Sequence, residues 1–142
     1  MADRAMTEAE LEAYFHEVFP QIYAFGPIWH VESLGAGTAL MRVDYHESQL
    51  RPGGTVSGPT MFTLADLALY AAVLGAIGRV PNAVTTNLTI NFLRRPAPGP
   101  LWGDCRLLKL GKRLAVGEVT ILSRIGDPAV AHATGTYSIP DR

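Results

Sequence analysis

Asp66 is the residue whose surroundings ask for chemistry. It stands near the middle of Ser57-Gly58-Pro59-Thr60-Met61-Phe62-Thr63-Leu64-Ala65-Asp66-Leu67-Ala68-Leu69-Tyr70-Ala71-Ala72, a run that is apolar nearly all the way round a helix. A helix without a polar face is wrapped by its own domain or by lipid. An ionised group on it is costly unless it is paired or put to use. Asp66 is therefore either a carboxylate satisfied by Thr63 or by another strand, or a working group in a dry site. Other chemistries find less support. The four histidines, His16, His30, His46 and His132, are dispersed with no metal-ligand spacing. No Gly-x-Ser-x-Gly elbow is present, so Ser57 reads as a helix cap rather than a nucleophile.

The elements that must hold Asp66 follow from periodicity. Thr7 with Glu10 makes a capping box for a helix over 7–19, where Leu11, Tyr14, Phe15, Val18 and Phe19 recur at helical spacing and Pro20 stops the run. Strands are expected over 28–34 and 37–45, joined across Gly35-Ala36-Gly37. Residues 46–58 read as a loop, since Arg51-Pro52-Gly53-Gly54 cannot stay helical or extended. The central helix is expected over 59–77, capped by Ser57 or Gly58 and closed at Gly78. A period of two then takes over. In the first such strand Val84, Thr86, Leu88, Ile90 and Phe92 share one face, opposed by Thr85, Asn87, Thr89 and Asn91. Further strands are expected near 101–110, 112–124 and 129–139. The order implies an α+β fold, one antiparallel sheet around one buried helix with an extra N-terminal helix, and a single domain over 1–142.

Composition fits that reading. The 142 residues are 48% hydrophobic and 18% charged with a net charge of −1, which gives no electrostatic reason to expect nucleic acid. Residues 59–78 reach the length of a membrane span. Asp66 at mid-helix, with the hydroxyls of Thr60, Thr63 and Tyr70, argues for a buried helix instead. The lone Cys105 allows no internal disulfide. The first residues lack the basic and apolar regions of a signal peptide, so a cytoplasmic protein is expected.

Three motifs in order resemble the hotdog-fold acyl-CoA thioesterases of the phenylacetate-pathway (PaaI-like) type. They are the stretch from Pro52 to Asp66, the strand Ala83-Val84-Thr85-Thr86-Asn87-Leu88-Thr89-Ile90-Asn91-Phe92-Leu93-Arg94-Arg95-Pro96, and the hairpin Leu108-Lys109-Leu110-Gly111-Lys112-Arg113-Leu114-Ala115-Val116. The resemblance implies a hotdog fold whose chains pair edge to edge, with active sites between subunits. It implies Asp66 as general base or nucleophile, contributed by the other subunit, and the Gly58 N–H as oxyanion donor. It implies a hydroxyl on the next strand, at Thr85, that places the water. The substrate would be an acyl-CoA, with no metal and no bound cofactor beyond the coenzyme A of the substrate itself. A homodimer, or a dimer of dimers, would carry the sites.

The chain departs from the family pattern at three positions. Ser57 replaces the motif His and is carried as an auxiliary of the catalytic set, Pro59 replaces the second Gly, and the polar amide usual six residues before the His is either Arg51 or displaced by Pro52-Gly53-Gly54. Arg51, Arg94, Arg95, Lys112 and Arg113 are candidates for the phosphates of coenzyme A, or else solvated strand ends. Leu64, Leu67, Tyr70 and Leu74 follow helical spacing as core, with Tyr70 also placed to line the acyl end; His46 lies in the loop before the helix. Besides a thioesterase, a non-catalytic acyl-CoA or aromatic-ligand binder on the same fold fits the lost His. A hotdog dehydratase fits poorly, because those sites pair a His with the carboxylate.

Overall fold

The computed structural model describes residues 4–141. Residues 1–3, part of the stretch on which the signal-peptide reading rests, and residue 142 lie outside the described residues. The first helix, α1 (Glu8–Val18), starts as expected. The Thr7 hydroxyl accepts from the Glu10 N–H at 3.2 Å, and the Glu10 carboxylate accepts from the Thr7 N–H at 2.9 Å. Pro20 ends it by opening a short 3-10 turn, Pro20–Tyr23. β1 (Trp29–Gly35) and β2 (Thr38–Val43) form a hairpin in which Gly37 takes a φ of +76°, a value that glycine adopts without a Cβ penalty.

Residues 46–58 are not a plain loop. They hold a 3-10 turn, Glu47–Gln49, and two paired two-residue strands, β3 (Leu50–Arg51) and β4 (Thr55–Val56). The expectation that Arg51-Pro52-Gly53-Gly54 breaks all extended structure is corrected here. The breakers occupy only the hairpin tip, where Gly53 and Gly54 have φ of +101° and +77°, and pairing survives on either side. The central helix α2 (Gly58–Ile77) follows, with Ser57 as N-cap and Gly78 at its end. β5 (Val84–Phe92), β6 (Leu101–Leu110), β7 (Leu114–Leu122) and β8 (Ala131–Ser138) complete one six-stranded sheet, in the order β1-β2-β6-β7-β8-β5, with every neighbouring pair antiparallel. This is the long helix wrapped by an antiparallel sheet that the hotdog resemblance implies.

Twelve of the twenty residues of α2 are buried, so the sheet rather than lipid surrounds its apolar circumference. Close approach is made possible by small residues on the inner sheet face. Gly117 and Gly135 are register partners on β7 and β8, and a Cβ on either would come within 2.7 Å of the Leu69 side chain. Leu69 thus sits in a glycine cradle, and its own burial is worth about 1.5–3 kcal/mol. β7 alternates strictly, with Ala115, Gly117, Val119 and Ile121 facing in.

The alternation expected in β5 does not hold. The register against β8 shifts between Thr85 and Asn87: Thr85 pairs with Tyr137, and Asn87 pairs with Thr136. Thr86 is the extra residue of a β-bulge, and a bulge re-phases the faces on either side of it. Thr85 therefore points to α2, as do Leu88 and Phe92, although a strict period of two would set Thr85 on the face opposite to theirs.

The two edges of the sheet differ. On β1 the Glu12 carboxylate of α1 accepts from the Val31 N–H at 2.7 Å, and the Glu8 carboxylate accepts from the Leu34 N–H at 2.9 Å. That edge is covered. Among the described residues the outer edge of β5 is bare, with Val84 and Phe92 each more than half exposed. Such an unpaired edge is a template for another chain.

Gly135→Ala is expected to destabilise the fold by about 1–3 kcal/mol through overpacking against Leu69, lowering the Tm by several degrees in a thermal melt. An unchanged Tm would show that the cradle is not tight.

Candidate active site

Two regions at opposite ends of β5 hold the central residues singled out by the sequence. Asp66 belongs to the first. Its Oδ1 accepts from the Thr85 hydroxyl at 2.5 Å and from the Tyr137 hydroxyl at 2.7 Å. The Tyr137 hydroxyl also lies 3.1 Å from the Asp66 carbonyl oxygen. Oδ2 accepts no hydrogen bond among the described residues. The carboxylate is thus held by two strands, whereas Thr63 turns away and donates to the Pro59 carbonyl at 3.0 Å. The bulge at Thr86 is what aims Thr85 at Asp66.

This carboxylate lines a cavity of about 380 Å³ together with Tyr70, Thr85 and Tyr137. Val18 and Phe19 at the end of α1, Gln21 in the turn after it, and Pro81, Ala83 and Val84 before and at the start of β5 complete the wall. The rings form a stack: Tyr70 lies 5.6 Å from Phe15 and 6.0 Å from Tyr137, with Phe19 edge-on at 6.3 Å. Burial pushes the Tyr70 phenol up to about 12, and its hydroxyl donates to the Pro81 carbonyl at 3.0 Å. Burial, and then the charge of Asp66, pushes the Tyr137 phenol up as well, so it stays protonated and donates.

Gly58 belongs to the second region. As the first residue of α2 its N–H has no intrahelical acceptor, and none is found among the described residues. The Phe92 ring covers it, 3.2 Å from where a Cβ would stand. One cavity of about 430 Å³ is lined by Gly58, Pro59, Phe62, Thr63, Ile90 and Phe92. Another of about 260 Å³ brings Arg51, Arg94 and Arg95 to the same glycine. Arg94 also donates to the Ala129 carbonyl at 2.5 Å. Gly58 and Asp66 stand eight helical steps apart, about 12 Å at 1.5 Å per residue.

The other candidates are placed elsewhere. Ser57 is engaged as a cap: its Oγ lies 3.4 Å from the Thr60 N–H and 3.0 Å from the Thr60 hydroxyl. Lys112 and Arg113 sit in the β6–β7 turn, at the Val84 end of the sheet and far along it from Arg94. Arg113 pairs with Asp141 at 3.1 Å. His46 caps the turn Glu47–Gln49 through Ser48, with its Nδ1 2.7 Å from the Ser48 hydroxyl, and does not line the Asp66 cavity. His30 and His132 lie in strands, as expected. Among the described residues no cluster of three or more His, Cys, Asp or Glu side chains could hold a metal ion. Sequence reasoning missed Tyr137. Its signal is a large polar ring ending the otherwise small inward face Ala131, Ala133, Gly135.

Comparison with known proteins adds to this geometry. A family model described as the thioesterase superfamily matches residues 53–132. A protein of Saccharolobus solfataricus named "Putative esterase" is 33% identical over 108 residues, which cover 76% of this chain and 71% of that one. The crystal structure of a "putative thioesterase" from a Silicibacter species superposes with a TM-score of 0.87 at 47% identity, covering 97% of this chain and 94% of that one. A mutant of the phenylacetic acid degradation protein PaaI from Thermus thermophilus superposes with a TM-score of 0.73 at 25% identity, covering 85% and 99%.

Cys105 is fully buried, and burial pushes its thiol up to about 12, so it is no candidate nucleophile at neutral pH. A thiol reagent at about pH 8, near the ordinary thiol pKa, is expected to leave the native chain unlabelled and to label one thiol per chain after unfolding. Rapid labelling of the native chain would contradict the buried position.

Proposed function

The chain belongs to the thioesterase superfamily, and on that premise we propose that it hydrolyses acyl-CoA thioesters of small, medium-chain or aromatic acyl groups to free acid and coenzyme A. The thioesterase and esterase names of its relatives support thioester hydrolysis. The acyl-CoA substrate rests on the arrangement of charge and cavity.

The observation that carries the reading is the separation of the two half-sites along one bare strand. A carboxylate with one unoccupied oxygen borders a cavity at the start of β5, and an unpaired helix N-terminal N–H lies under Phe92 at its end. Within one chain they are too far apart to act on one carbonyl. Antiparallel pairing of β5 with its copy about a two-fold axis near Leu88 would set Val84 opposite the partner's Phe92. Asp66 would then face the Gly58 of the partner subunit. The bare β5 edge, set against the covered β1 edge, supports such a homodimer. Two dimers could then associate into a tetramer.

In this assembly the Asp66 carboxylate takes a proton from water, whose oxygen attacks the thioester carbonyl carbon, or attacks that carbon itself. Thr85 helps place the water. The carbonyl π electrons move to oxygen, and the partner's Gly58 N–H stabilises the oxyanion, a term of about 3–4 kcal/mol for such donors. The oxyanion collapses, the C–S bond breaks, and the thiolate of coenzyme A leaves to be protonated. In the direct route, water then hydrolyses the acyl-aspartate. Arg51, Arg94 and Arg95 beside Gly58 suit the phosphates of coenzyme A, and Lys112 and Arg113 offer a second cationic pair. The acyl group would enter the ring-lined cavity beside Tyr70. Ser57 serves as the cap that keeps the helix N-terminus in place. No metal or bound cofactor is required, and the cytoplasm, where acyl-CoA esters are found, is the proposed location.

Asp66→Asn is expected to leave fold and assembly intact and to lower kcat by roughly a hundredfold or more, as removal of a general base does, measured by thiol release from a panel of acyl-CoA esters. Near wild-type turnover would refute the reading, and saturable acyl-CoA binding without any thiol release from the native protein would favour a binder. Mixed dimers of Asp66→Asn and Gly58→Pro chains carry one intact composite site in this scheme. They are expected to recover up to half of wild-type turnover where each homodimer is inert; no recovery would place both groups in one chain.

A further inference from the structure

We infer that Tyr137 is a positioning residue that reserves Oδ1 of Asp66, so that Oδ2 is the oxygen that meets the water or the acyl carbon. The inference rests on the proposed hydrolase reading and deepens it. Tyr137 is 4% exposed on the inner face of β8, and its single hydroxyl proton goes to the Asp66 carboxylate at 2.7 Å, with the Asp66 carbonyl oxygen at 3.1 Å as the minor acceptor of the same proton. That bond, made from a buried ring that cannot swing away, fixes the rotation of the carboxylate. Thr85 binds the same oxygen at 2.5 Å from the neighbouring strand. Thr85 and Tyr137 are register partners, so one rung of the β5–β8 ladder supplies both donors.

The consequence is chemical. A carboxylate free to rotate presents two equivalent oxygens and spends part of its time turned from the substrate. With Oδ1 held by two hydroxyls, Oδ2 has the only lone pairs left without a donor among the described residues. It is presented to the cavity in one orientation, a pre-organisation that acts on the chemical step rather than on binding. Burial and the neighbouring Asp66 charge push the Tyr137 phenol above its ordinary value, so the donor persists at neutral pH.

Tyr137→Phe removes the hydroxyl and keeps the ring against Tyr70. It is expected to lower kcat roughly tenfold to a hundredfold, the loss that follows from deleting a hydrogen bond to a charged group, with KM for the acyl-CoA ester within twofold. In an Asp66→Asn background the same substitution is expected to cost nothing further, because the group it positions is gone. Melting and mass measurements establish that the variant is folded and assembled. The inference is overturned if Tyr137→Phe keeps kcat within twofold, if its loss appears in KM alone, or if it multiplies the Asp66→Asn loss. A Tyr137→Phe chain that fails to fold would assign the hydroxyl a structural task and overturn it too. These outcomes are distinct from failure of the hydrolase reading, which shows as Asp66→Asn retaining activity or as wild type releasing no thiol.

Discussion

A helix with no polar face and one carboxylate can be wrapped only if the wrapping answers that carboxylate, and this constraint organises the molecule. The sheet must come close enough to bury Leu64, Leu69 and Val73, all at most 1% exposed. It must also bring donors to Asp66, since an ionised group left unanswered beside an apolar core costs more than the packing returns. The inner face of β8 meets both demands in sequence: small residues where the helix presses, and then a tyrosine where the carboxylate stands. Packing and polar satisfaction thus meet along β8, read from its small end to its large end, with Gly117 of β7 completing the cradle and Thr85 of β5 supplying the second donor.

Asymmetry of the sheet edges carries that local solution outward. One edge has two backbone donors occupied by glutamates of α1, while the other is a nine-residue strand whose outer side has no partner among the described residues. The helix N-terminus and the carboxylate meet opposite ends of that strand. In the proposed dimer a single two-fold operation would both satisfy the open edge and unite the half-sites. Assembly and chemistry would then depend on the same row of hydrogen bonds, and loss of one would entail loss of the other.

Much of this was legible in the residues. Capping by Thr7 and Ser57, the glycine at position 78 and the alternation in β7 are local signals, and local signals survive into the fold because neighbours in sequence decide them. Asp66 stood out because its type contradicts its surroundings. Thr85 could be named from its motif position, yet its face could not be fixed, since a bulge is set by pairing with β8 rather than by the strand itself. Tyr137 shows in the sequence only as a large ring after small residues; its role escapes for a related reason, since it lies 71 residues from its acceptor and register brings the two together. The β3–β4 pair hid behind its own glycines. The distribution of cations also needed coordinates, because only the fold shows that Arg51 and Arg94–Arg95 converge while Lys112–Arg113 lie at the far end.

The extra residue at Thr86 works like a half-wavelength inserted into a standing wave. Upstream of it Thr85 is in phase with the helix; downstream Leu88 and Phe92 are in phase again, and without it one of the two groups would be turned to solvent. Excising a single codon there would keep every remaining residue type and still break the protein, either stripping the carboxylate of its hydroxyl or baring the apolar flank. For this strand, then, length is as much a part of the information as composition, and its tolerance to indels is near zero where its tolerance to exchange on the outer face is wide.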